Sequence, residues 1–207
     1  MSFQKCYPTD CFIDPLNTIK IRIDKIEQIA AIMDFIPETR FEWKKNELIY
    51  RQKFIKRNSF NKLEKDNLIY LLVQFACDLD ELAKTSFIHG DINRKNVLYC
   101  GNRLWLVDLE PALRIIKNGR STLLFTPPYI SLEDLKNKKL TQQSDKIGFY
   151  FFARKLIDSS FKLKNISNLM RQRIEQEFEF LPIPEAEFVN QSYEDILNEL
   201  LLTYPFQ

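Results

Sequence analysis

The sequence predicts an α+β fold of two lobes, a truncated mixed lobe followed by a mainly helical one. Three observations lead there. The chain has 207 residues, 45% hydrophobic and 28% charged, enough for one domain with a real core and unlike a disordered composition. Helical and strand-like hydrophobic periods are mixed before about residue 58, and helical ones dominate after it. No repeat and no Pro/Gly/Ser-rich linker divides the chain. It reads as a single domain over 1–207, with a reduced first lobe at 1–58 and a second lobe at 59–207.

Met1 to Tyr7 is short and reads as a strand. Asp14-Pro15 predicts a helix start, with Asp as the cap and Pro in the first turn. Leu16, Ile19, Ile23, Ile26, Ala30 and Met33 then keep spacings of three and four, one face of a helix. Arg40 to Trp43 and Glu47 to Ile55 read as a hairpin. Residues 64–84 form a helix with Leu68, Leu71, Leu72, Phe75, Leu79 and Leu82 on its apolar face. Val97 to Cys100 and Leu104 to Val107 are short strands joined by Gly101-Asn102. Residues 111–143 read as mostly irregular, and Ser144 to Asp158 as a buried helix whose Phe149, Tyr150, Phe151 and Phe152 fill the core. Two amphipathic helices are expected at 161–180 and 192–202.

Composition excludes several functions. The 4 glycines lie far apart, so no Gly-rich phosphate loop exists. With 1 His, a multi-His metal site is ruled out. A net charge of +2 gives no field that argues for nucleic acid or for a membrane surface. No apolar run approaches the ~20 residues of a membrane span. Cys6, Cys11, Cys77 and Cys100 form no CxxC pair and read as free, mostly buried thiols in a reducing, cytoplasmic setting, with export into a host left open.

The chemistry concentrates at His89-Gly90-Asp91-Ile92-Asn93-Arg94-Lys95-Asn96 and at Asp108-Leu109-Glu110. Asp91 and Asn96 share a polar loop between a helix and a strand, and the hairpin after it returns Asp108 to their neighbourhood. Two carboxylates and an amide then converge. Hard oxygen donors of this kind suit Mg²⁺ bridging nucleotide phosphates, and one carboxylate remains to take a proton. His89 reads as a loop brace with no proton to transfer.

These residues resemble the protein-kinase-like superfamily. HGDxxxxN, a hydrophobic strand and an Asp are similar to its catalytic loop and metal-binding Asp. His-Gly-Asp and Asp-Leu-Glu are similar to aminoglycoside and choline-kinase-like phosphotransferases. Thr126-Pro127-Pro128-Tyr129 and Glu133 resemble the end of a eukaryotic-type activation segment, Asp145 the buried Asp that opens the central helix, and Ser192 to Leu201 the last helix. The resemblance covers about 64–202. It implies ATP and Mg²⁺, Asp91 as catalytic base, and Asn96 and Asp108 as metal ligands. Asn93 stands where a lysine is usual, so Lys95 or Arg94 is the substituting cation. Thr126 would bond Asp91. For the ATP-phosphate lysine there are two candidates, Lys5 and Lys20; Lys5 is preferred, paired with Glu27 on the following helix. Glu110 joins the metal shell or starts a helix. Asp145 would cap its helix and brace the loop, and Glu133 would enter a buried ion pair with Arg171 or Arg173. The basic cluster Arg51, Lys53, Lys56, Arg57 and Lys62 falls at the hinge between lobes and reads first as solvated surface.

The expected activity is transfer of the γ-phosphoryl group of Mg-ATP to a Ser or Thr of a protein, this chain included. The ground is that residues 108–133 would form an extended ledge, while the chain has little room for an acceptor pocket. Phosphorylation of a sugar or aminoglycoside is the first rival, and a pseudokinase binding module the second.

Overall fold

The computed structural model describes residues 2–126, 130, 132–160, 188 and 190–203. Strand β1 (Ser2–Pro8) leads through a short 3-10 turn at Thr9–Cys11 to helix α1 (Leu16–Ile32), then to β2 (Thr39–Lys44) and β3 (Glu47–Lys53). The sheet order is β1-β3-β2, all antiparallel. Opposite residues share a face, so the register sets Lys5 beside Tyr50, Phe3 beside Gln52 and Tyr7 beside Leu48. Phe3, Lys5 and Tyr7 line that face at a period of two.

Helix α1 packs on this sheet and touches two cores. Ile19 and Ile23 join Phe12, Leu48 and Ala112 in a small core under the sheet. Ile26 and Ile29 join the main core with Phe35, Phe75, Phe149 and Phe152. Each such side chain, fully buried, contributes about 1.5–3 kcal/mol. The helix starts one residue later than expected. Pro15 occupies the cap position without a side-chain bond, and Asp14 pairs instead with Arg114 at 3.2 Å. Leu16, at 47% exposure, falls off the buried face.

The second lobe is built on α2 (Lys65–Lys84), whose buried face includes every residue expected of it. The hairpin β4 (Val97–Cys100) and β5 (Arg103–Leu106) follows it. A second hairpin, β6 (Arg114–Lys117) and β7 (Arg120–Leu123), occupies the stretch expected to be irregular. Its signal was Asn118-Gly119, whose φ angles of 52° and 74° are the paired positive values of a tight hairpin turn. Six-residue α3 (Leu132–Asn137) was also unexpected, and α4 (Gln142–Ser160) is longer than the sequence implied. Helix α5 (Tyr193–Leu202) begins at Ser192 with a reciprocal capping box to Asp195 and packs on α2 and α4. The helix expected at 161–180, with Arg171 and Arg173, and the run Pro127 to Tyr129 lie outside the described residues.

Two further expectations fail. Glu133 is exposed, which its place in a buried ion pair does not allow. The buried acid is Asp134, at 3% exposure, and it accepts from Thr141 N at 2.6 Å and Ser144 Oγ at 2.7 Å to brace the start of α4. The cysteines are free but not buried, with Cys6 and Cys77 exposed and Cys11 and Cys100 half-buried. Cys6 follows from strand alternation, because it points away from the Lys5–Tyr7 face.

Candidate active site

The loop from His89 to Asn96 is held from below by α4. Asp145 is 3% exposed and accepts from His89 N at 2.7 Å and Gly90 N at 2.6 Å. Burial pushes its carboxyl up to about 6, against the pull of His89, these two N–H donors and Arg22. Asp145 therefore braces the loop as expected but does not cap its helix. Gly148, one turn on, lets the backbones approach, since a Cβ there would sit 2.6 Å from the Ile92 carbonyl oxygen. His89 Nδ1 accepts from Asp91 N at 3.2 Å, so Nε2 carries the proton and donates to Val107 O at 3.0 Å. That bond ties the loop to the chain just before Asp108.

The loop closes on its own side chains. Asn93, 2% exposed, donates to Asp91 O at 3.0 Å and accepts from Lys95 N at 2.8 Å. Asn96 Nδ2 donates to Asp91 O and to Asp91 Oδ2, both at 2.9 Å. Thr126 reaches in from beyond β7, giving its N–H to Asp91 Oδ1 at 2.7 Å and its hydroxyl to Oδ2 at 3.1 Å. The Asp91 carboxylate is thus oriented by three neutral donors, with no cation within ion-pair distance among the described residues.

Across the cleft lies Lys5. Its Nζ bonds Asp108 Oδ1 and, at 2.8 Å, Glu110 Oε1. Tyr7 Oη donates to the other Glu110 oxygen. Burial alone would lower the Lys5 ammonium, but Glu110 and Asp108 outweigh it and hold the pKa above the ordinary lysine value. Tyr7 is held protonated, first by burial and then by Glu110. Asp108 has a φ of 68°, uncommon for a residue with a side chain, and its N–H reaches buried Gln52 Oε1 at 3.3 Å.

The expected Lys5–Glu27 pair is not formed. Glu27 accepts from Phe41 N at 2.7 Å and so fastens α1 to β2. Glu110, two residues past Asp108, takes the place beside Lys5, and it starts no helix. Lys20 lies exposed on α1 and has no ion pair among the described residues. From the same helix Arg22 enters the site, a residue the sequence reading missed. It donates to Ile88 O and Glu110 O, each at 2.9 Å, and stacks 4.8 Å from the Phe87 ring centroid. Burial lowers its pKa to about 10, with Asp145 and Glu110 pulling the other way. Its signal was a charge inside the Ile19–Ile23–Ile26 face.

Between sheet and loop is a cavity of about 210 Å³. Phe3, Phe54, Ile55, Leu98 and Val107 make it apolar, and Lys95, Asn96 and Asp108 make one end polar. Exposed Lys95 stands at the rim. A flat heterocycle with a charged tail matches that division. The donor set also fits a divalent ion. Asn96 turns its nitrogen to Asp91 and leaves Oδ1 without a hydrogen bond among the described residues, as is Asp108 Oδ2. Among the described residues no three His, Cys, Asp or Glu side chains converge to cage a metal. An ion here would need ligands from elsewhere, as Mg²⁺ does when it binds with substrate phosphates.

A family model of protein tyrosine and serine/threonine kinases matches residues 51–157. Comparison with curated proteins finds no match. Among solved structures, the Cydia pomonella granulovirus kinase PK-1 aligns with a TM-score of 0.60 at 15% identity, covering 97% of this chain and 77% of that one. At that identity the likeness is one of fold.

Proposed function

The chain belongs to the protein tyrosine and serine/threonine kinase family, and we propose that it is an active enzyme passing the γ-phosphoryl group of Mg-ATP to a Ser or Thr hydroxyl of a protein. The observation that carries this reading is the Asp91 carboxylate, fixed by Thr126 and Asn96 yet free of any cation among the described residues. A fold-keeping module without turnover has no use for an acid so oriented.

In this reading the lobes 1–58 and 59–207 meet at the cleft. The adenine enters the apolar cavity, and its phosphates run toward Lys5. Mg²⁺, when bound, would neutralise phosphate charge, and Asn96 and Asp108 would hold it. Lys5 moves its positive charge from Asp108 to the phosphates and stays anchored by Glu110. Asp91 orients the acceptor hydroxyl. The hydroxyl oxygen bonds to the γ-phosphorus, the bond to the bridging oxygen breaks, ADP leaves, and the hydroxyl proton goes to Asp91. Lys95, at the cavity rim, steadies the transferred group. Thr126 helps select the hydroxyl through its bonds to Asp91. No helix among the described residues is long and apolar enough to cross a membrane. We place the reaction in a reducing, cytoplasmic compartment, which suits four free thiols.

A small-molecule acceptor is the second reading, favoured by His-Gly-Asp and Asp-Leu-Glu. The β6–β7 hairpin also removes part of the extended ledge expected at 108–133, so the support for a protein acceptor narrows to the Thr126–Asp91 contact. The test compares acceptors under γ-labelled ATP. Label on protein Ser or Thr, including this chain, is the expected result. Label on sugars or aminoglycosides, with none on any protein, rejects the protein reading.

A further inference from the structure

A second cavity, of about 310 Å³, opens where the chain leaves β3, bounded by Arg57, Asn58, Ser59, Phe60 and Arg94. Arg57 Nη2 donates to the Arg94 carbonyl at 3.3 Å. The Arg94 guanidinium lies 5.6 Å from the Phe60 ring centroid and reaches Asn61 Oδ1 at 3.4 Å. Two arginines therefore line one cavity, and among the described residues their contacts are to neutral partners. Neither has a carboxylate within ion-pair distance among the described residues, nor do Lys53, Lys56 and Lys95 nearby. Arg51, at the end of the same basic run, shows the contrast, with Glu42 at 2.5 Å.

The net charge of +2 makes this local surplus notable, since opposite charges nearly balance over the whole chain. Two like cations lining one cavity repel, and an anion between them relieves that repulsion while taking charge-assisted bonds from both. A single exposed pair is worth little. Here the Phe60 ring and the Arg94 carbonyl already orient the two side chains, so less side-chain freedom is lost on binding. The position is also informative. Arg94 is three residues beyond Asp91, within the turn that Asn93 closes. An anion held there would be anchored to the loop that carries Asp91.

We propose that this cavity is a subsite for an acidic side chain of the acceptor protein, a carboxylate or a phosphomonoester, so that the preferred substrates are acidic around the modified hydroxyl. The proposal rests on the protein-kinase reading above. Its test uses the full chain and three fluorescein-labelled peptides that share one central serine and differ only in its flanking residues: Glu, phosphoserine or Gln. By fluorescence anisotropy the two anionic peptides should bind about tenfold tighter than the Gln peptide, as expected when charged hydrogen bonds are added. Arg57→Gln with Arg94→Gln should erase that difference, and Arg40→Gln, on the far edge of the sheet, should keep it. A phosphoserine peptide well above the Glu peptide assigns the subsite to phosphate, and equal binding to carboxylate. Equal binding of all three peptides overturns the proposal, as does a single-stranded oligonucleotide that displaces the anionic peptides at lower concentration. The same peptides with Mg-ATP separate the two claims. Arginine-dependent binding without phosphorylation leaves the subsite standing and rejects the kinase reading. Phosphorylation indifferent to the flanking charge does the reverse.

Discussion

The two walls of the cleft are built differently. The acid-bearing wall is a loop whose contacts are mostly short in sequence: His89 to Asp91, Asn93 to Asp91, Asn96 to Asp91. Of its long-range braces, Asp145 is buried and grips backbone N–H groups, while Thr126 bonds the Asp91 carboxylate itself. The cation-bearing wall is an edge strand whose Lys5 reaches 103 and 105 residues along the chain to Asp108 and Glu110. About three-tenths of the Lys5 side chain is exposed. The first wall is fixed before any ligand arrives. The second is held by ion pairs that, in the proposed reaction, a nucleotide would partly exchange. The contrast separates positioning, which burial enforces, from charge, which the substrate can take over.

Mutations on each wall sharpen the contrast. Asp108→Ala should remove the Mg²⁺-dependent part of ATP affinity, on the order of 100-fold by calorimetric titration. Unchanged Mg-ATP affinity gives Asp108 another task. Asp145→Asn comes next and acts on stability. It leaves one loop N–H facing an amide group, at a cost of about 1–3 kcal/mol in denaturant unfolding. It should also alter the pH profile. Asp145 titrates near 6 when folded and near 3.8 when unfolded. Between about pH 4 and 6 the folded state keeps a proton that the unfolded chain has lost. Its contribution to stability therefore falls as pH rises through that window and is flat above it. The variant should lack that fall. Smaller again is Glu110→Gln, which should weaken Mg-ATP binding about tenfold, the scale of one charged hydrogen bond. Glu27→Gln should leave that affinity unchanged. The opposite ranking would restore α1 as the lysine's partner. The smallest effect is Lys20→Met, an exposed site expected to shift stability by less than ~0.5 kcal/mol and to leave ATP binding unchanged, whereas Lys5→Met should impair it.

What was legible in the sequence follows the same division. The apolar face of α2, the β4–β5 hairpin and the helix expected at 192–202 were readable because propensity and period are local. So was the convergence of Asp91, Asn96 and Asp108, since one short hairpin links them. The partner of Lys5 was not readable, because nothing in a helical period says which of two acids, Glu27 or Glu110, an edge strand will face. Arg22 was hidden for a related reason. Its bonds go to backbone carbonyls, which leave no residue signature. The β6–β7 hairpin was readable from Asn118-Gly119, but its strands are only four residues each and one side is exposed, which left the alternation weak.

The most direct measurement pairs Mg-ATP affinity with phosphoryl transfer in the wild-type chain and in Asp91→Ala. Asp91 touches no cation among the described residues, so its loss should leave Mg-ATP binding within about twofold while transfer falls by ~10²–10⁴, the usual consequence of removing a general base. Transfer at the wild-type rate in Asp91→Ala, or no transfer by the wild-type chain to any acceptor despite tight Mg-ATP binding, would contradict the account.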